Sequence, residues 1–298
     1  MSKTGTSKDV LNYYENNWEK IAYCYDLDSE GIPIDPAWYR RRLYNEFLDK
    51  HKPKSVLDIG CGGGWTVLDA LQKGIDAIGV EPVKSLKNFA VELLNKEGFD
   101  GNKVKLDDLL YIEKLEDNSQ DCVALLSVIP HVPIEKLEYI HNQINRILKP
   151  GGKLVVAYRN ELFDFFTFNS ITLDFYKNDL WGGLNELNEL SNDNKVLESL
   201  KGLVTNPDIP GKFHTNVEDK SFGNLKRFKT NPLTIKEYLS TYDFKWLESH
   251  FYHFHAAPPL ILSSVENLKK IHHEMELNYS NNWRAQFMCP MYLVIAKK

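Results

Sequence analysis

The residues whose types and spacing point most directly to chemistry are Val56-Leu57-Asp58-Ile59-Gly60-Cys61-Gly62-Gly63-Gly64-Trp65. An apolar run that reads as a buried strand enters a glycine turn and leaves it as a helix. Glycine is needed where the backbone takes a positive φ, or where a ligand must approach with no Cβ in its way. Glu81 follows at the end of the next strand. An acid in that position accepts hydrogen bonds from both hydroxyls of a ribose. Together the two features predict a nucleoside lying across the carboxyl ends of the first two strands. A dinucleotide site asks for G-x-G-x-x-G/A, because a small sixth residue lets helix and strand pack closely under the pyrophosphate. Trp65 holds that position and would wedge the two apart, which argues against a nicotinamide oxidoreductase.

Other reactive side chains fall near the same edge. His131 follows the fourth strand and is a catalytic candidate for the reaction chamber, with capping of the next helix as the alternative. The run His250-Phe251-Tyr252-His253-Phe254-His255, read as a strand, points His253 and His255 to one face and His250 to the other. His253 and His255 are catalytic candidates, with ordinary packing as the alternative. A metal site on that face lacks a third ligand by spacing, so none is expected. Tyr14, Trp18, Tyr23 and Tyr25 form an aromatic group before the core that could cage a sulfonium or an ammonium, or simply pack between helices. Arg159 and Arg284 are candidates to grip a carboxylate. Arg40-Arg41-Arg42 and Lys226-Arg227 read as solvated faces, or as holders of an anionic group on a small substrate.

The elements that must position these residues are legible from periodicity. The first fifty residues read as helical, with Asp9 as a possible N-cap. Gly31-Ile32-Pro33 breaks the pattern, and Asp35 caps a helix from Trp38 to Leu48 with Pro36 in its first turn. From Ser55 short apolar strands alternate with amphipathic helices. Strands are expected at Ser55–Ile59, Asp76–Val80, Lys103–Leu106, Asp121–Leu126 and Lys153–Tyr158. Helices are expected at Thr66–Lys73, Leu86–Glu97 and Ile134–Leu148. That rhythm implies parallel pairing through right-handed crossovers, with helices on both faces. It stops at Arg159, and the stretch from Glu161 to Lys229 reads as a mostly helical insertion. A helix at Thr234–Tyr242, a long strand at Phe244–His255, a helix at Ser264–Asn278 and a strand at Met291–Lys297 close the pattern, the last two strands pairing as a hairpin-like edge.

The chain has 298 residues, 43% of them hydrophobic, and a formal net charge of −5. That length suits one large α/β domain with an elaboration. An acidic chain offers no global field to hold nucleic acid or an anionic membrane. The polar start MSKTGTSKDV resembles no signal peptide, and no apolar run reaches bilayer length. Cys24, Cys61, Cys122 and Cys289 are scattered, which fits a reducing cytoplasm. Cys61 and Cys122 are expected to be buried as small apolar groups.

The segment Asp58–Gly64 (DIGCGGG) resembles the first motif of class I S-adenosylmethionine-dependent methyltransferases, D/E-x-G-x-G-x-G. Glu81 matches that family's ribose acid, and Pro82 its apolar neighbour of the adenine. Asp107-Asp108, with Leu109 after them, resembles the element whose acid bonds the adenine amino group, although no glycine precedes it. Asn118-Ser119-Gln120-Asp121, Ser127-Val128-Ile129-Pro130-His131 and Leu148-Lys149-Pro150-Gly151-Gly152 match three further family segments, the second lining the methionine end. The likeness covers Ser55–Tyr158 well, the last strands loosely and the insertion not at all. It implies S-adenosyl-L-methionine as cofactor, held by Asp58, Gly60, Cys61, Gly62, Glu81, Pro82, Asp107, Asp108, Leu109 and Ser127. It also implies a lid where Tyr14, Trp18 and Tyr25 stand, and these join Arg159 and Arg284 as substrate candidates.

The expectation is a Rossmann-like methyltransferase fold with a doubly wound, mostly parallel sheet. Residues 1–50 form a helical lid, 51–160 the cofactor-binding core, 161–232 an inserted cap and 233–298 the completion of the core. The activity expected is methyl transfer to oxygen, nitrogen or sulfur of a small molecule, for which the arginines suggest a carboxylate. The protein is expected to be cytoplasmic, without nucleic-acid or membrane partners. The rivals are a protein or RNA methyltransferase and a nucleoside-binding protein without catalysis.

Overall fold

The computed structural model describes residues 8–180, 192–204, 228–259 and 268–298. Its centre is a seven-stranded sheet in the order β3-β2-β1-β4-β5-β7-β6. The strands are β1 (Ser55–Ile59), β2 (Asp76–Glu81), β3 (Val104–Leu106), β4 (Gln120–Leu125), β5 (Leu148–Arg159), β6 (Lys245–Tyr252) and β7 (Met291–Lys297). The pairs from β3 to β5 are parallel, and β7 runs antiparallel to both β5 and β6. The order reverses beside β1, whose neighbours are β2 and β4. In open α/β sheets ligands collect at such a switch point, outside the carboxyl ends of the strands.

The sheet is buried on both faces, as parallel sheets are. Leu154, Val156 and Tyr158 of β5 face one core with Val123 and Leu125 of β4. Val155 and Ala157 face the other with Cys122 and Ala124. Side chains alternate along each strand, so one run of apolar residues supplies both layers. The first core is covered by α6 (Ile134–Ile147), and the second by α3 (Ala37–His51), α4 (Trp65–Gln72) and α5 (Lys84–Lys96).

The regular elements stand within a few residues of their sequence-predicted bounds, and the expected start of the last helix at Ser264 lies outside the described residues. Asp35 caps α3 by accepting the Ala37 N–H at 2.7 Å. Before it lie α1 (Lys8–Asn16) and α2 (Trp18–Ala22); Asp9 sits in the first turn of α1 rather than at its cap. Two strands differ from expectation. β5 begins at Leu148 and takes in Lys149–Gly152, a stretch that the sequence pattern marks as a turn only. β6 ends at Tyr252, so His253–His255 lie beyond the ladder. His253 has φ 68°, and the Phe254 N–H donates to Glu276 Oε1 at 2.6 Å instead of to a strand. Strand alternation therefore does not place His253 and His255 on one face, although their ring centroids do lie 4.8 Å apart.

Within the described part of the insertion the chain is helical, in α7 (Phe163–Phe166), α8 (Ser170–Phe175), a π turn at Tyr176–Leu180 and α9 (Asn194–Leu203). The pair Lys226-Arg227 lies outside the described residues. The C-terminal part adds α10 (Ile235–Ser240) before β6, and α11 (Leu268–Asn278) and α12 (Ala285–Met288) between β6 and β7. Among the described residues no helix is long and apolar enough to cross a membrane. Cys61 and Cys122 are buried, as expected.

Gly64 shows what the turn asks of its sequence. Its φ is 80°, and a Cβ there would stand 2.7 Å from Ala90 Cβ and 3.2 Å from Ala90 Cα of the neighbouring helix. Gly64→Ala combines left-handed strain with overpacking against backbone, and is expected to destabilise the protein by about 2–4 kcal/mol. Urea unfolding measures this; a loss below about 1 kcal/mol would mean that the turn readjusts freely.

Candidate active site

The glycine turn leaves β1 with Gly60, Gly62 and Gly64 all at positive φ. The Gly60 N–H donates to the Val80 carbonyl at 2.7 Å, which ties the turn to β2. A Cβ at Gly60 would strike Val128 Cγ2 at 2.5 Å, so that glycine serves packing against the segment after β4. Gly62 is different: a Cβ there meets only Ile21 Cγ2, at 3.9 Å. Its side lies open towards the crevice, as the approach of a ligand requires.

Glu81 is buried at the end of β2. Its carboxylate accepts the Gly62 N–H at 2.8 Å and the Val83 N–H at 2.9 Å. Burial pushes its pKa up to about 7, against the lowering effect of the Val83 and Gly62 bonds. Asp58, on β1, is likewise pushed up to about 7 by burial, opposed by its bond from Thr66 and by the Arg40 charge. Asp58 Oδ2 accepts from Thr66 Oγ1, while its Oδ1 is buried without a partner. An orphaned buried acceptor and an open glycine cradle are what a nucleoside with a polar tail would complete, so these residues fit S-adenosylmethionine.

The remaining sequence-predicted residues divide by what they already do. Cys61 turns its thiol into the second core, leaving only its backbone for the crevice. Leu109 is buried in the first core. Asp107 pairs with Lys114 and also accepts the Asp108 N–H at 3.0 Å, and Asp108 accepts the Leu110 N–H at 2.8 Å. Both aspartates therefore have a local structural role. Pro82 is half-buried beside Glu81. Ser127 closes β4 in a left-handed conformation, φ 72°, and its Oγ accepts from Arg40 Nη1 at 2.6 Å. A non-glycine residue held so is strained by about 1–3 kcal/mol, a feature that clusters at functional sites.

The N-terminal helices lie over this edge. Tyr14 of α1 shares a hydrogen bond with His131 Nε2, 3.1 Å from its hydroxyl. Glu15 accepts from Ser85 Oγ at the start of α5. Trp65 Nε1 donates to the Ala22 carbonyl at 2.8 Å, and Trp18 packs against Phe89 at 6.3 Å between ring centroids. Tyr25 meets Trp65 at 6.1 Å. Trp65 is thus the seat on which the N-terminal segment docks, with the Arg41 guanidinium 4.9 Å from its ring.

His255 lies at the far side. Its backbone N–H donates to the Met288 carbonyl at 2.9 Å, and the Ala256 N–H donates to His272 Nε2 at 3.1 Å. With Glu276 on Phe254, α11 and α12 hold this arm by successive amides. Both ring nitrogens of His255 are buried without a partner, beside Phe163 at 5.0 Å and His272 at 5.9 Å. Burial, with the neighbouring His272, lowers its pKa to about 3, so the ring is neutral. Arg159 is buried near Asp164. Arg284 is exposed and stacks on Trp283 at 4.8 Å, which leaves it a weak candidate for the crevice. Among the described residues no group of three or more His, Cys, Asp or Glu is placed to hold a metal.

Sequence reasoning missed Arg40 as an individual, and with it Tyr252, Glu276 and His272. The basic triplet was visible, but successive helical residues point about 100° apart. Arg40 turns to Ser127, Arg41 to Asp69 and Arg42 to Glu46.

The comparisons with known proteins agree with this geometry. Residues 57–156 match the family model described as a methyltransferase domain. The chain is 28% identical over 176 residues to a ubiquinone biosynthesis O-methyltransferase of Rickettsia bellii, covering 55% of this chain and 68% of that protein. It is 29% identical over 118 residues to a tRNA N(3)-cytidine methyltransferase of Bos taurus, covering 38% of this chain and 31% of that one. In fold it resembles magnesium protoporphyrin IX methyltransferase from Synechocystis PCC 6803 with bound SAH, at TM-score 0.53 and 13% identity over 97% of each chain. The [4+2]-cyclase SpnF is similar to the same degree, with TM-score 0.53, 13% identity, and 100% of this chain and 99% of that chain covered. Over residues 57–156, about a third of its length, the chain carries a methyltransferase domain. It is a methyltransferase whose cofactor is S-adenosylmethionine.

Glu81→Ala removes the carboxylate that fixes Gly62 and Val83 and that is suited to a ribose. Calorimetry with S-adenosylhomocysteine is expected to show an affinity loss of roughly ten- to hundredfold. Undiminished affinity would place the nucleoside elsewhere.

Proposed function

We propose that the chain transfers a methyl group to a small-molecule acceptor enclosed beneath its N-terminal helices, with residues 1–50 as lid, 51–160 as cofactor-binding core, 161–232 as cap and 233–298 as completion of the core. The observation that carries this reading is the roof. Tyr14, Glu15 and Ala22 fasten α1 and α2 to the segments after β4, β2 and β1, and Ile21 stands over Gly62. A crevice covered in this way suits a compact acceptor better than a folded polymer. The ubiquinone O-methyltransferase relatives favour a small acceptor and oxygen as the receiving atom. The acidic balance of the chain, −5, disfavours a polyanion.

S-adenosylmethionine, when bound, supplies an activated methyl on a sulfonium. The protein's part is then to align the acceptor and exclude water. Glu81, Gly62, Asp58 and Ser127 are assigned to the cofactor, with Pro82 and the 107–109 segment on the adenine side. His131, held by Tyr14, and the neutral His255 with His253 beside it are assigned to the acceptor. A neutral imidazole offers one donor and one acceptor, so His255 would orient a polar group of the acceptor rather than neutralise a charge. Arg159 remains the arginine assigned to a carboxylate on that acceptor.

The tRNA-methylating relatives favour a second reading, transfer to RNA. Labelled cofactor incubated in parallel with a cell metabolite extract and with total tRNA separates the two. Label in a low-mass product is expected; label in tRNA alone would overturn the small-molecule reading, and label in neither would leave a nucleoside-binding protein.

A pH dependence follows from Glu81. Its pKa, raised to about 7 by burial, leaves the free protein partly protonated there at neutral pH, whereas ribose hydroxyls donate to the ionised form. Affinity for S-adenosylhomocysteine is therefore expected to rise between about pH 6 and pH 8, with proton release on binding near pH 7. Calorimetry in buffers of different ionisation heat reads both; a flat profile without proton release would exclude Glu81 as the ribose acceptor.

A further inference from the structure

Glu276 of α11 is buried, and its oxygens serve backbone. The Phe254 N–H donates to Oε1 at 2.6 Å, and the His253 N–H donates to the same carboxyl group. Arg42, in whose field Glu276 lies, is paired with Glu46 instead. The next two amides are also taken, that of His255 by the Met288 carbonyl at 2.9 Å and that of Ala256 by His272 Nε2 at 3.1 Å. Four successive N–H groups thus leave the strand for partners on α11 and α12. His253 makes the turn with φ 68°, a conformation that residues other than glycine resist. Successive amides converging on one acceptor are what such a turn creates.

The turn decides where His255 goes. Both nitrogens of that ring are buried without a partner, between Phe163, His253 and His272. Leaving them unmet is costly for the empty protein, and such exceptions ask for a partner. The arm begins close to the crevice: Tyr252, the last residue of β6, lies beside Ser127. β6 runs parallel to β5, since both are antiparallel to β7, so the arm leaves the sheet at the carboxyl edge that carries the glycine turn. Burial pushes the Glu276 pKa up to about 8, against the lowering effect of the Phe254 and His253 amides and of Arg42. The neutral acid therefore prevails at neutral pH. What the arm requires at position 276 is an acceptor oxygen, not a charge.

We propose that Glu276 is a positioning residue for methyl transfer: by taking the His253 and Phe254 amides it turns the chain out of β6 and presents the open nitrogens of His255 to a polar group of the acceptor. This deepens the reading of a small acceptor and rests on it. Glu276 acts through the arm and does not itself meet the acceptor. The strain at His253 acquires a purpose by the same contact, since the left-handed turn is what brings both amides to one carboxyl group.

Imidazole NMR on the full chain reads the placement of His255, with His255→Asn to assign its resonance. In the wild type the ring is expected to take up no proton between about pH 8 and pH 5, because burial and the neighbouring His272 lower its pKa to about 3. Glu276→Met removes the acceptor oxygen at similar volume. His255 is then expected to titrate near the ordinary histidine value of about 6.5, while the buried His141 stays unchanged. Labelled low-mass product from a dilute metabolite extract is expected to form roughly tenfold more slowly or worse, with the affinity for S-adenosylhomocysteine held within about twofold. Glu276→Gln, which keeps the oxygen, is expected to restore both readouts. A flat His255 profile in Glu276→Met, a freed His255 with undiminished methyl transfer, or no rescue by Glu276→Gln overturns the proposal. A loss of S-adenosylhomocysteine affinity of about tenfold also overturns it, and assigns Glu276 to the cofactor. If Glu276→Met fails to fold, Glu276→Asp, one carbon shorter, carries the same comparison with the same outcomes. If the wild type labels no low-mass product, the small-acceptor reading itself fails, a result distinct from any seen in the variants.

Discussion

A buried carboxylate held by two backbone N–H groups is the constraint on which this structure turns. Glu81 has no cationic partner among the described residues; the Gly62 and Val83 amides compensate its removal from water. Those donors belong to the turn after β1 and the entry to α5, so one side chain fixes two loops relative to each other and to the sheet. The arrangement is expensive for an empty protein, since burial favours the protonated acid. Hydroxyl donors from a ligand would relieve that cost, which makes the crevice more stable filled than free.

The two sides of the site are built differently. On the side proposed for the cofactor, the positions are set by short connections between neighbouring parallel strands, and the Gly62 and Val83 amides hold Glu81. On the side proposed for the acceptor, the arm 253–256 is suspended by α11 and α12, through Glu276, His272 and Met288. Its groups come from segments far apart in the chain. Fold resemblance to both a methyltransferase and a [4+2]-cyclase fits this division, because a shared sheet does not dictate what a loop-built chamber does.

The same division explains what could be read from the sequence. The glycine turn and Glu81 were legible because local backbone geometry demands those residue types at that spacing. The parallel strands were legible because they are short apolar runs between clear turns. Arg40 was not, because its partner Ser127 lies 87 residues away and only the helical phase of α3 tells which arginine faces inward. His253 and His255 looked like strand residues because the apolar alternation continues past Tyr252. The ladder ends there for a reason outside that stretch: Glu276 takes the Phe254 amide. Asp107 and Asp108 matched a motif, yet their oxygens are engaged with Lys114 and the Leu110 N–H, a use that spacing alone does not reveal.

The position of β7 between β5 and β6 has a consequence for synthesis. β6 precedes β7 in the chain but, among the described strands, pairs with no other. A nascent chain that has left the ribosome as far as β6 therefore carries two open ladders, one along β5 and one along β6. Both close in a single event when Met291–Lys297 emerges and slots between them. Until then Tyr252 lacks its β7 partner Met291, so the edge of the sheet from which the histidine arm leaves is completed only after strands β1 to β5 have been synthesised.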